Sequence, residues 1–171
     1  MNNASNVAPV QQRLQQIIAL FEKIPQSFIA FLARFALAAV FWRSGQTKIE
    51  GLAIDIFKGE FTLGIPHVSE SAVALFQDEY KLPLLSPAFA APLAATAEHL
   101  LPLLLLFGLA TRLSALGLLC MTLTIQLFVY PNSYPDHTTW AALCLFLMAK
   151  GPGKFSIDQW LENRFQASLN K

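Results

Sequence analysis

The sequence predicts an all-α membrane protein: a transmembrane four-helix bundle with interfacial amphipathic helices at both termini. Three observations predict it. Hydrophobic residues make up 54% of the 171 residues and charged residues only 13%, about half the roughly 25% usual in soluble domains. From Leu82 to Ala149 the only formal charges are Glu98, Arg112 and Asp136, a stretch that reads as several crossings of about 20 residues each. The apolar residues also come in blocks rather than in the strict alternation of a β-barrel. Lipid leaves backbone polar groups no partner outside their own segment, so these blocks should be helices.

The first span runs roughly Ser27 to Thr47, around FIAFLARFALAAVFW. The second runs roughly Pro87 to Leu109 and the third Leu113 to Tyr130. The fourth, TTWAALCLFLMA from Thr138 to Ala149, is short enough to be a re-entrant segment. Starting it near Tyr134 lengthens it by a turn, because Pro135 is tolerated in a first helical turn. Charge favours a crossing. With four spans, Arg13, Lys23, Arg112, Lys150, Lys154, Arg164 and Lys171 share one side, and Lys48, Lys58 and Lys81 the other. The positive-inside rule then puts both termini in the cytoplasm. No cleavable signal peptide is evident, so the first span is expected to remain as an anchor.

Three parts follow: a cytoplasmic amphipathic helix over 1–26, a four-span domain over 27–150 with an outer loop at 49–86, and a cytoplasmic amphipathic tail over 151–171. Leu14, Ile17, Ile18 and Phe21 form one apolar stripe in the first part, which suits a helix lying in the interface. In the tail, Gly151-Pro152-Gly153 stops the fourth helix, and Ser156 stands three before Gln159 at capping-box spacing. Ile157, Trp160, Leu161 and Phe165 then share a face. In the outer loop, Ala72, Leu75, Phe76 and Tyr80 have helical spacing, and Pro83 should end that helix.

Few residues can carry chemistry. Glu98, near the middle of the second span, heads a candidate intramembrane polar site with Arg34, Arg43 and His99. An ionised acid at that depth costs on the order of 2.5–3.5 kcal/mol on insertion scales, so it should face the interior, protonated or paired. Arg34 and Arg43 are its candidate partners, though both could snorkel instead. Two readings stand: a Glu–Arg pair that fixes packing, or a proton relay or polar head of a quinone pocket. No metal is assigned. His67, His137, Cys120 and Cys144 are weak candidates without ligand spacing. The net charge of +1 gives no field for nucleic acid. No phosphate loop, dinucleotide fingerprint, catalytic triad or haem motif is present.

Three segments carry a resemblance. Arg34 followed by FALAAVFWRSGQTKI, then AEHLLPLLLLFGLATRL, then GPGKFSID occur in that order, and together they resemble the DoxX family from about Phe28 to Leu161. The matching motif positions include Gly45, Lys48, Thr111, Arg112, Gly151, Gly153, Ser156 and Asp158. DEYKLPLL, MTLTIQLFVYP and HTTWAAL resemble members with an extended first loop.

The resemblance implies a four-helix bundle in the bacterial inner (plasma) membrane. It implies an auxiliary or quinone-associated subunit of a redox or metal/oxidative-stress system, rather than a stand-alone enzyme. The alternative it implies is a non-catalytic scaffold or export partner for a small metal-binding or cysteine-rich peptide system. The cofactor is left open, with quinone compatible, and no universal catalytic residue carries over. A protein partner in a membrane complex is expected, and a homo-oligomer is compatible. Outside the resemblance, Lys48 reads as an ordinary interfacial cation and Arg112 as a topology anchor.

Overall fold

The computed structural model describes residues 7–55 and 59–169. Lys58 and Lys171, which enter the charge count above, lie outside the described residues. The chain forms α1 (Val7–Glu22), α2 (Gln26–Gln46), β1 (Ile49–Asp55), β2 (Glu60–Val68), α3 (Glu70–Leu75), α4 (Pro87–Phe107), α5 (Thr111–Thr124), α6 (Tyr134–Lys150) and α7 (Ile157–Leu169). Two π-helical turns follow α3 and α5, over Phe76–Tyr80 and Ile125–Val129.

Helices α2, α4, α5 and α6 pack in a ring, each touching two neighbours. The interior mixes small and large residues: Ala30, Ala33, Ala38, Ala91, Ala95 and Ala115 are buried beside Leu37, Phe41, Leu105, Leu118 and Leu147. Many other large apolar residues point outward, with Phe28, Phe35, Leu93, Leu100, Leu113 and Leu123 exposed. Small residues inside let helix backbones approach closely, and apolar bulk outside suits lipid. Three helices are long and apolar enough to cross a membrane: Gln26–Gln46, Pro87–Phe107, and Thr111–Val129 counted through its π turn. Helix α6 has 17 residues, or about 26 Å at 1.5 Å per residue, against about 30 Å of hydrocarbon.

One part of the fold corrects the all-α expectation. The segment after α2 is an antiparallel hairpin, with Ile49 opposite Val68 and Leu52 opposite Leu63. Its register shifts between Glu50 and Leu52, where Gly51 has φ 85° and stands across from Gly64, Ile65 and Pro66. A Cβ on Gly51 would lie 2.4 Å from the Ile65 carbonyl oxygen, so the bulge needs glycine there. Pro66 has no N–H to give to a ladder. The helix expected next in the loop spans α3 and its π turn, and it ends at Lys81 in the left-handed region. Phe76 packs there with Ala90 and Ala91 of α4.

The terminal segments are helical and lie open. Leu14, Ile17, Ile18 and Phe21 of α1 are exposed, as are Trp160 and Phe165 of α7. The Ser156 hydroxyl accepts from the Gln159 N–H at 3.2 Å, while the Gln159 side chain turns to Glu162 and Asn163. The cap is therefore one-sided rather than reciprocal.

Candidate functional site: a buried ion pair beside an apolar cavity

Glu98 is buried on α4, and its partner is neither Arg34 nor Arg43. It is Lys48, just past the end of α2. The Lys48 ammonium lies 2.7 Å from Oε2, with side-chain exposures of 3% and 4%. It donates to Glu98 Oε1 at 3.0 Å, and to the hydroxyl and carbonyl oxygens of Ser44 at 3.0 and 3.3 Å. Three donors are all an ammonium has. Ser44 donates its own hydroxyl proton to Glu98 Oε1 at 3.1 Å. Glu98 Oε2 is met by the ammonium at 2.7 Å and by no second donor. Lys48 is thus half of a buried pair, and the reading of it as an interfacial cation is corrected. A buried pair is compatible with folding only when its remaining protons and lone pairs are largely met, as Ser44 does here.

Close approach of α2 and α4 makes the pair. A Cβ on Gly45 would lie 2.7 Å from the His99 ring and 3.1 Å from Glu98 Cβ, so no larger residue fits without displacing one of them. His99 takes a structural position. Gln46 Oε1 accepts from the Ile54 N–H at 2.7 Å, so the Gln46 amide presents its NH2 to His99 Nε2 at 2.9 Å. That makes Nε2 an acceptor and leaves the ring proton on Nδ1, which donates to the Ala95 carbonyl at 2.7 Å. Trp42 meets the His99 ring edge-on and donates to the Ile54 carbonyl at 3.1 Å. Trp42, Gln46 and His99 thereby dock the hairpin onto the helices.

A cavity of about 320 Å³ opens beside Glu98, within the usual size of a small-molecule site. Its wall is mainly apolar, with Phe41, Leu93, Met121 and Trp140, and Ser44, Glu98 and His137 supply polar groups. Leu93 of α4 and Cys120 of α5 border it and are both exposed, so it opens sideways between those two helices. Both π turns line it, through Phe76 and Tyr80 from one and Ile125 and Val129 from the other. Such turns are rare and frequent at functional sites. Above the cavity, the Tyr80 and Tyr130 rings meet edge to face at 5.7 Å. Tyr130 donates to the Glu79 carboxylate, and that bond, with burial second, pushes its hydroxyl above the ordinary tyrosine range. Burial raises the Tyr80 hydroxyl as well.

The other motif residues gather at the opposite end, near the two termini. Arg34 is buried and donates to the carbonyls of Leu105 and Leu106 at 3.2 Å each and of Phe155 at 2.5 Å. Asp158 accepts from the N–H groups of Ala110 and Thr111 at 2.8 and 2.9 Å. It caps α5 and holds Ala110 at φ 48°. Arg112 donates to the carbonyls of Met148 and Ala149 at the end of α6. Ser156 closes its own turn onto the Gly153 carbonyl at 2.7 Å. Gly153 has Ser27 Cα 2.9 Å from where its Cβ would be, and Gly151 faces Arg112. These residues tie the end of α4, the start of α5 and the tail together. A wider cleft there, about 980 Å³, has Arg112 and Asp158 on its wall, both already bonded to backbone.

The remaining candidates do not converge. Arg43 is exposed. His67 is exposed on the hairpin, 3.6 Å from Glu50. His137 lies in the first turn of α6 and is buried. Cys120 and Cys144 are free thiols, one exposed and one buried. Among the described residues, no group of three His, Cys, Asp or Glu side chains could hold a metal.

Apolar bulk on the outer faces and three span-length helices define an integral membrane protein. Its family is DoxX: the DoxX family model matches residues 29–131, and the chain belongs to that family. The match takes in α2 through α5 and stops before α6, so GPGKFSID lies beyond it. No curated protein and no solved structure matches the chain.

Proposed function

We propose that this DoxX protein is an auxiliary membrane subunit that binds a quinone-type molecule in the cavity beside Glu98, within a redox or oxidative-stress system. One observation carries the reading: a buried carboxylate, held by Lys48 and Ser44, stands on the wall of an apolar cavity that opens between α4 and α5. A lipid-borne ring compound can reach such a site from within the bilayer, its ring among aromatic groups and its oxygen at Glu98. Purification in mild detergent followed by lipid extraction is expected to recover quinone with the parent protein and several-fold less with Glu98→Gln, compared at equal folded fraction. Extracts free of quinone from a correctly folded parent would refute the proposal.

The reading includes α6 as a fourth crossing, both termini in the cytoplasm of a bacterium, and α1 and α7 lying in the inner interface. The charge distribution and the ring of helix contacts support it. Topology reporters fused at Ala4 and at Lys171 should answer from one side and a reporter at Phe76 from the other. Ends reporting from opposite sides would reject the fourth crossing.

A second reading, a non-catalytic scaffold for a small metal-binding or cysteine-rich peptide system, is favoured by the hairpin. Phe61, Leu63 and Ile65 stand exposed along β2. Replacing residues 49–68 with a polar linker should then abolish recovery of that partner, and unchanged recovery would sink this reading.

A further inference from the structure

The hairpin has two unlike faces. Directly opposed residues of an antiparallel pair project to the same side. Leu52 stands opposite Leu63 and Ile54 opposite Phe61, so these four make one apolar face. Ala53 with Thr62, and Asp55 with Glu60, take the other. Strand β1 is mostly half-buried and touches α2. Strand β2 is open: Phe61 is 64% exposed, Leu63 83% and Ile65, in the bulge, 88%.

The place of the hairpin says what meets the open apolar face. Five residues of strand cover about 16 Å, so a β1 that left along the axis of α2 would carry Ile54 that far beyond the helix end. Instead, both backbone groups of Ile54 are bonded to α2. Its N–H donates to Gln46 Oε1 at 2.7 Å, and its carbonyl accepts from the Trp42 indole at 3.1 Å. Trp42 in turn meets the ring of His99, which stands well inside α4, a span-length helix that starts at Pro87. The start of α4 is about 18 Å further along its axis at 1.5 Å per residue. The hairpin is therefore held beside the half of α4 that carries Pro87, rather than raised clear of it. An open strand edge is unstable in hydrocarbon itself, which leaves the boundary between acyl chains and headgroups, where an element with one apolar and one polar face is at home.

We infer that the hairpin is a lipid-facing element, with Leu52, Ile54, Phe61 and Leu63 set into the leaflet at the Lys48 end of the bundle, and Thr62, Asp55 and Glu60 turned to water. This placement rests on α2 and α4 crossing the bilayer, not on a ligand in the cavity, and gives β2 a lipid partner where the second reading gives it a peptide. Spin labels test it on the full chain in phosphatidylcholine nanodiscs, with Cys120→Ser and Cys144→Ala as background. Labels go at Leu63→Cys, at Thr62→Cys on the opposite face, and at Leu100→Cys on the exposed side of α4, each checked for unchanged thermal unfolding. Phe61→Cys repeats the reading at a second site. Oxygen concentrates in lipid and a polar nickel chelate in water. The ratio of oxygen to nickel access is expected to be several-fold higher at Leu63 and Phe61 than at Thr62, and to approach that at Leu100. Nickel access at Leu63 equal to that at Thr62, with Leu100 closed to nickel, would overturn the inference and leave the crossing standing. A Leu63 label closed to both reagents would also overturn it, since protein would then cover the face. Nickel access at Leu100 would remove the crossing of α4, and the placement with it.

Discussion

Replacing Lys48 with methionine while keeping Glu98 is expected to destabilise the protein by about 3–5 kcal/mol, since it strands a buried carboxylate. The pair is nearly closed to the surface, and Ser44 cannot neutralise the charge it leaves. Removing both charges together, as in Lys48→Met with Glu98→Leu, should return most of that loss, because an apolar pair of similar volume carries no desolvation penalty. Unfolding of the single and double variants in one detergent reads the difference. A Lys48→Met protein as stable as the parent would show that the two charges do not depend on each other. The same double variant should lose ligand while remaining folded, which separates the structural contribution of the pair from its contribution to the site.

The second large effect is at the other end of the helices. Arg34→Met removes the cation that holds three carbonyls, from Leu105, Leu106 and Phe155. Hydrogen bonds to charged groups contribute about 1.5–3 kcal/mol each and do not add simply, so a net loss of about 3 kcal/mol is expected. Arg34→Lys should recover little of it, since a point charge cannot reach carbonyls on two segments as a planar fork does. The tail is joined to the helices at this place, so limited proteolysis should cut residues 151–169 faster in Arg34→Met than in the parent. Unchanged cleavage and unchanged stability would mean that the latch does not hold the tail.

The two ends of the molecule were legible in the sequence to different degrees. Charge-poor blocks set out the long helices within a few residues, as they do wherever lipid replaces water. Glu98 stood out because an acid within such a block is costly. Its partner did not, because the pairing depends on how far α2 and α4 are offset along their axes. That offset brings Ser44 and Lys48, at the end of α2, level with the middle of α4, and it sets Arg34 against α4's last turn. No spacing within one helix encodes it. Gly45 carried the one available signal, since a glycine next to a serine in a span marks a close crossing, and Lys48 follows it by three residues.

The hairpin was missed for a different reason. Phe61, Leu63 and Ile65 do alternate, which is the signature of a strand. Gly64 and Pro66 interrupt the run, however, and such interruptions argue against a strand unless a bulge absorbs them. Here a bulge in β2 does, with Gly64, Ile65 and Pro66 opposite the single Gly51. The motif residues Arg112, Gly151, Gly153, Ser156 and Asp158 were recognisable as a set, and the structure shows what the set does: it joins helix ends to the tail. The tautomer of His99 was not legible at all. It depends on the orientation of the Gln46 amide, which is set by the Ile54 N–H of the hairpin.

The proposed function requires the cavity between α4 and α5 to be a ligand site. A photoreactive azidoquinone, irradiated with the purified protein in nanodiscs and mapped by peptide mass spectrometry, tests this most directly. Label is expected on residues 90–98 and 120–130, and it should be lost when unlabelled quinone is in excess. Label confined to the exposed outer faces of the helices, or label that excess quinone fails to displace, would contradict it.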